Sequence, residues 1–353
     1  IEEIPVPKKR RKSKNKLTIK GARQHNLKNL DIEFPLHSLI CVTGVSGSGK
    51  STLIKDILLP AVKKELGIYG DKQGEHKSFS GDMTHVKAIE FVNQNPIGKS
   101  SRSNPITYVK AFDDIRELFS RQPLSKIRAY KPGFFSFNVD GGRCEVCEGE
   151  GDISVSMQFM ADVHLTCEQC LGSRYKAETL EIKYREKSIA DILEMDIESG
   201  LQFFKEGKDN IELKIAAKIE PLVKVGLGYL KIGQASNTLS GGEAQRIKLA
   251  SFLSKGANSP STLFIFDEPT TGLHFHDVRK LLIAFDELIN IGHSIIVIEH
   301  NLDVIKCADH IIDIGPEGGN KGGEIIFEGT PEEIILSKES ATGGFLKEKL
   351  STK

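Results

Sequence analysis

The segment that most restricts the fold is Gly44-Val45-Ser46-Gly47-Ser48-Gly49-Lys50-Ser51, followed by Thr52. It satisfies GxxxxGK[ST] at every position. An apolar strand pattern, Leu39–Thr43, precedes it, and a helical pattern runs from Ser51 to about Leu66. A strand delivering glycines to a helix start implies an α/β fold with a phosphate site. Gly44, Gly47 and Gly49 let the backbone around Ser46 wrap phosphates with its N–H groups, and the helix dipole adds positive potential. Lys50 is placed to reach the β- and γ-phosphates of a nucleotide, with Ser51 on a magnesium ion and Thr52 closing the loop.

A second strand pattern, Phe264-Ile265-Phe266, ends in Asp267 and Glu268. Carboxylates at the C-terminal end of an open α/β sheet lie where such sheets bind ligands. Asp267 is expected to hold magnesium through water, and Glu268 to act as general base on an attacking water. Hydrolysis of the nucleotide, beyond binding, is therefore expected. A third pattern, Leu239-Ser240-Gly241-Gly242-Glu243, opens a helix: Ser240 is a natural N-cap, and Glu243 completes a capping box. Gly241 and Gly242 would let a phosphate approach closely.

Six cysteines occur in the chain, and four fall in two CxxC pairs, Cys144/Cys147 and Cys167/Cys170, 19 residues apart. Without a secretory leader this spacing reads as one structural zinc per chain, held in a closed tetrahedron. Cys41 and Cys307 lie in apolar patterns and read as small buried hydrophobes.

The formal net charge of +0 conceals an uneven distribution. Residues 1–20 carry a balance of +6 and residues 99–131 one of +5. The first reads as a solvated linker, and the second could face a polyanion. No apolar run approaches the ~18 residues of a membrane span. The chain starts at Ile1 without a signal-peptide pattern, so a segment of a longer cytoplasmic protein is expected. Strand–helix alternation occurs at both ends, with strands expected at 17–19 and 86–92. An exposed loop is expected over 67–85, and helices at 189–204 and 211–225.

Ser240-Gly241-Gly242, followed 27 residues after Ser240 by the acidic strand end, resembles the signature of the ATP-binding-cassette (ABC) ATPases. That resemblance implies that Gln94 senses magnesium and water, and that His300, 32 residues beyond Glu268, contacts the γ-phosphate. It also implies that Ser240, Gly241 and Gly242 face ATP held by a second module or a second copy of the chain.

A narrower resemblance, to the C-terminal half of the UvrA family of excinuclease ATPases, covers residues 17 to about 340. It is carried by NQNPIGKSSRSNPITYVKAFDDIRELF, FSFNVDGGRCEVC, CEQCLGSRYKAETLE, DEPTTGLHFHDVRKLL and GPEGGNKGGEIIFEGTPEEI. It implies an ABC-type nucleotide-binding domain interrupted by a long signature and DNA-binding insertion with a zinc module. The division is a basic linker at 1–16, ATP-binding parts at 17–94 and 254–353, and an insertion at 95–253 with zinc module at about 130–180. The 188 residues between Lys50 and Leu239 argue against a transporter cassette. The CxxC pairs argue against a translation-factor cassette, and the ATPase motifs against a zinc-ribbon chaperone. A UvrA-like resistance paralogue stays open.

The resemblance further implies ATP, Mg²⁺ and Zn²⁺ as cofactors and damaged double-stranded DNA as partner in nucleotide excision repair. Lys99 and Arg102 are the expected backbone contacts, with Arg116, Arg121, Arg128 and Lys131 as weaker candidates. A UvrB-like partner would bind elsewhere in the full-length protein, and no nuclease carboxylate cluster is apparent. The chain departs from the family at Lys99, commonly Arg, at Ser156, commonly acidic, and at Met160-Ala161-Asp162, commonly Leu-Pro-Asp.

Overall fold

The strand that feeds the phosphate loop, β3 (Leu39–Gly44), is buried over its first five residues, as befits a central strand covered on both faces. It belongs to a computed structural model that describes residues 3–70, 72–98, 102–155, 163–256 and 259–351. The other strands are β1 (Lys16–Ala22), β2 (Leu30–Pro35), β4 (Ser78–Gly81), β5 (Ala88–Val92), β6 (Asp152–Val155), β7 (Val163–Thr166), β8 (Thr262–Asp267), β9 (Ser294–Ile298), β10 (His310–Gly315) and β11 (Glu324–Gly329). The chain divides into two compact units, residues 1–94 with 255–353, and residues 95–254.

In the first unit a six-stranded sheet runs β11-β10-β3-β9-β8-β5. It is parallel except for β11, which pairs antiparallel with β10 at the edge. β9 alone separates β3 from β8, so the phosphate loop and the acidic pair emerge from the same end of the sheet. A second, antiparallel sheet, β2-β1-β4, alternates buried and exposed positions, the signature of a sheet with one covered face. Its inward residues Leu17, Ile19, Ile32 and Phe34 join Leu53, Ile54 and Ile57 from the helix behind the phosphate loop in one core. That helix is π-helical over Thr52–Leu58 and α-helical over Leu59–Glu65.

Several expectations for this unit change. Residues 67–85 are not all loop: Ser78–Gly81 pairs with β1, Leu17 lying opposite Gly81. A four-residue polar edge strand has too little pattern to be read without its partner. The alternating Leu30–Pro35 strand is a further element absent from the expected set. The basic N-terminal run is not wholly solvated: Arg10 pairs with Glu332 at 2.6 Å, and Arg11 with Asp309 at 3.2 Å and Asp286 at 3.1 Å. Asp309, almost fully buried, also accepts from the Leu39 N–H at 2.9 Å. Cys41 is fully buried as expected, whereas Cys307 is only half-buried.

The second unit is mainly helical, with helices at Ala111–Ser120, Ile197–Lys205, Asn210–Lys224 and Gly241–Leu253. The helix expected over 189–204 is two, Ile189–Glu194 and Ile197–Lys205. Asp196 divides them by accepting from the Ser199 N–H at 2.7 Å and capping the second. β6 and β7 pair antiparallel beside the cysteines; Ser156 and Met160–Asp162 lie outside the described residues. Among the described residues no helix is long and apolar enough to cross a membrane.

Candidate nucleotide site and cysteine cluster

Gly44 ends β3 with φ 131°, and a Cβ there would lie 1.9 Å from the Ile314 carbonyl oxygen. Only glycine lets β10 run this close to the loop. Gly47 and Gly49 also have positive φ. Lys50 folds back over the loop, its Nζ donating to the carbonyls of Gly44 at 3.0 Å and Val45 at 2.8 Å. Burial lowers its pKa, with Glu268 and Asp313 opposing that shift. A desolvated ammonium whose hydrogen bonds go to two carbonyls gains strongly from an arriving polyphosphate, so the residues fit a nucleotide.

The acidic pair lies at the end of β8. Asp267 Oδ2 is 2.6 Å from Lys55 Nζ, so a cation at Asp267 must share its carboxylate with that ammonium or displace it. Ser51 lies in the first helical turn of the loop. Glu268 adopts φ 45°, a left-handed conformation uncommon outside glycine. Its Oε1 lies 4.0 Å from His300 Nε2, and its carbonyl accepts from Gln94 Nε2 at 3.4 Å. Gln94, Glu268 and His300, read from widely separated segments, therefore meet at one end of the sheet.

The loop has a second wall that its own motif does not announce. Asn26 Nδ2 donates to the carbonyls of Gly47 at 3.1 Å and Gly319 at 3.0 Å. The N–H groups of Gly319 and Gly323 donate to the Gly47 and Ser48 carbonyls at 3.0 and 2.9 Å. A Cβ at Gly318 would sit 2.6 Å from the Ser46 carbonyl oxygen. The paired glycines of GPEGGNKGGE are the available signal in the sequence, because glycine pairs often mark close backbone approach.

In the second unit, Ser240 caps the helix Gly241–Leu253: its Oγ accepts from the Glu243 N–H at 3.3 Å, and its own N–H donates to Glu243 Oε2 at 2.7 Å. Tyr229 donates its hydroxyl to Glu243 Oε1 at 2.6 Å. Gly241 and Gly242 thus occupy the first turn of a well-anchored helix.

Cys144, Cys147, Cys167 and Cys170 are all buried, and their sulfurs lie within 4.8 Å of one another. The Cys144–Cys167 and Cys147–Cys170 separations are 3.9 and 3.6 Å, close to the ~3.8 Å edge of a tetrahedron with Zn–S near 2.3 Å. Backbone N–H groups, chiefly that of Cys170, lower the Cys167 pKa to about 7. Burial raises Cys147 and pushes Cys170 up to about 12. Four soft donors with no open position fit a structural zinc.

Of the basic residues expected on DNA, Lys99 lies outside the described residues. Arg102 is paired with Glu148 at 3.3 Å and Glu150 at 3.6 Å on the first cysteine knuckle. Arg116 pairs with Asp113 and stacks 5.6 Å over Phe112, while Arg121 pairs with Glu117. Arg128 pairs with Glu181, and Lys131 is exposed. Arg102, Arg116 and Arg121 therefore each have a carboxylate partner within the protein.

No protein-family model matches the chain. Curated proteins do: the UvrABC system protein A of Clostridium tetani is 53% identical over 99% of this chain and 36% of its own length. That of Streptococcus pyogenes serotype M6 is 53% identical over 98% of this chain and 36% of its own. The crystal structure of UvrA2 from Deinococcus radiodurans superposes with TM-score 0.89 at 41% identity, covering 99% of this chain and 41% of that one. The chain is thus UvrA-like in sequence and fold throughout, and spans a little over a third of the length of the curated relatives it matches.

Proposed function

We propose that this UvrA-like chain is the C-terminal ATP-binding and ATP-hydrolysing module of a DNA-damage recognition protein in bacterial nucleotide excision repair. The observation that supports this most is the meeting of Gln94, Glu268 and His300 beside a complete phosphate loop, in a chain 53% identical to UvrABC system protein A.

In this reading Lys50 and the loop N–H groups, with Gly44, Ser46, Gly47, Gly49 and Thr52 shaping the cradle, bind the phosphates. Ser51 and Asp267 hold magnesium, which offsets phosphate charge when bound. Glu268 takes a proton from water as its oxygen attacks the γ-phosphorus and the bond to the bridging oxygen breaks. Gln94 orients that water, and His300 donates to the γ-phosphate. Ser240, Gly241 and Gly242 complete the site of a second module or a second copy, so one module alone is catalytically incomplete. Cys144, Cys147, Cys167 and Cys170 hold one zinc that shapes the DNA-binding insertion.

Lys99, Arg102, Arg116 and Arg121 contact duplex phosphates, which gives sequence-independent, salt-sensitive binding. Damage is sensed through duplex deformability. Incision belongs to other proteins of the system, a UvrB-like partner binds outside this segment, and the protein works in the cytoplasm. Gel-shift titration with damaged and undamaged duplex, with and without ATP, tests the reading. Salt-sensitive binding that ATP alters is expected; no duplex binding in either state contradicts it.

A further inference from the structure

Glu299 lies between Ile298, the last residue of β9, and His300, and is 2% exposed. None of the roles assigned above uses it. A carboxylate removed from water is costly unless its oxygens are satisfied, and this one accepts four hydrogen bonds. Oε1 accepts from the N–H and hydroxyl of Thr270 at 2.9 and 2.5 Å. Oε2 accepts from the N–H groups of His300 and Asn301 at 2.8 and 2.9 Å. The Glu299 N–H donates to the Val42 carbonyl at 3.1 Å, and the neighbouring Ile298 carbonyl accepts from the Glu268 N–H at 3.0 Å. A single residue therefore ties together β3, which feeds the phosphate loop, the turn after Asp267 and Glu268, and the segment that starts at His300.

We infer that Glu299 is a positioning residue for ATP hydrolysis, holding Glu268 and His300 in register through Thr270 and its own backbone. The inference rests on the hydrolytic reading of this site. Glu268 keeps φ 45°, which a non-glycine residue sustains only where its surroundings hold it. Ile298 anchors the Glu268 N–H, and Glu299 anchors the chain two residues later. The Glu268 and His300 side chains are about half exposed, so packing alone does not orient them and their backbones must. Nor does filling space require a carboxylate. Four donors converging from two segments require an acceptor on both oxygens, which glutamine cannot provide because its amide nitrogen only donates.

The test compares E299Q and T270V with the unsubstituted chain, measuring kcat and KM for ATP, affinity for a non-hydrolysable ATP analogue, and melting temperature. E299Q is expected to lower kcat on the order of 10- to 100-fold, as small displacements of reacting groups do, with analogue affinity held. T270V, which deletes one of the four bonds at constant volume, is expected to lower kcat about three- to tenfold. Unchanged kcat in E299Q, or a parallel loss of analogue affinity and turnover, overturns the inference. If E299Q does not fold, the same split in T270V decides. An unsubstituted chain without turnover either when self-associated or when supplied with the second module overturns the hydrolytic reading itself, whereas turnover that E299Q leaves unchanged overturns this inference alone.

Discussion

The nucleotide site and the basic insertion present the same kind of sequence evidence, polar residues in suggestive positions, with opposite structural outcomes. Gln94, Glu268 and His300 come together from separate segments. Arg102, Arg116 and Arg121 each turn to a nearby carboxylate. The first group is placed by backbone: strand ends in one sheet, glycines with positive φ, and a helix start. The second consists of long side chains on a mostly helical unit, where any acid within reach competes for the guanidinium. Exposed ion pairs of that kind are worth only about 0.2–1 kcal/mol, so a phosphate can displace the carboxylate.

The largest expected effect tests the backbone-placed site. Glu268→Gln should lower ATP turnover by about 10²–10⁴-fold, the usual contribution of a general base, while a nucleotide-binding titration shows affinity retained. A loss of binding instead would move Glu268 from proton transfer to phosphate or metal contact.

Next is the cysteine cluster, where backbone placement and metal chemistry meet. Cys170→Ser should abolish stoichiometric zinc by metal analysis and make residues 144–175 more open to proteolysis, because the metal would tie the two knuckles to each other. The pH dependence follows from the shifts at Cys147 and Cys170. Both are raised by burial, Cys170 to about 12, so in the metal-free chain both carry protons at neutral pH. Zinc must expel them, and its affinity should rise with pH from 6 to 9, with protons released to the buffer on binding. Affinity independent of pH would contradict this.

How far each region is legible in the sequence follows from the same contrast. Gly44-x-x-x-x-Gly49-Lys50-Ser51 needs no partner to be recognised, because glycine spacing reports backbone conformation directly. The two CxxC pairs are equally self-contained. Ser78–Gly81 becomes a strand only through β1, and the run at Arg10 and Arg11 is pinned by Glu332, Asp309 and Asp286, hundreds of residues away. Glu299 is illegible for the same reason: a glutamate beside a histidine looks solvated until Thr270 is brought to it.

Smaller effects sharpen the surface side of the comparison. Arg102→Ala should weaken duplex binding uniformly across sequences and reduce the salt slope by about 1. Glu148→Gln with Glu150→Gln should strengthen binding by freeing that arginine. If fluorescence anisotropy shows neither change, Arg102 is a strut of the first knuckle and nothing more. Smallest of all, Lys55→Met should raise the affinity of the nucleotide complex for a divalent cation by at most about fivefold, the scale of a partly exposed ion pair. Manganese titration followed by electron paramagnetic resonance reads this directly.

In the function proposed above, this chain is an ATPase module whose site is completed by a second module or a second copy. Specific ATPase activity per chain, measured against chain concentration with association state followed by analytical ultracentrifugation, tests it most directly. Weak turnover is expected from monomer, rising in step with self-association or on addition of the second module. Full turnover from a strictly monomeric sample would contradict it.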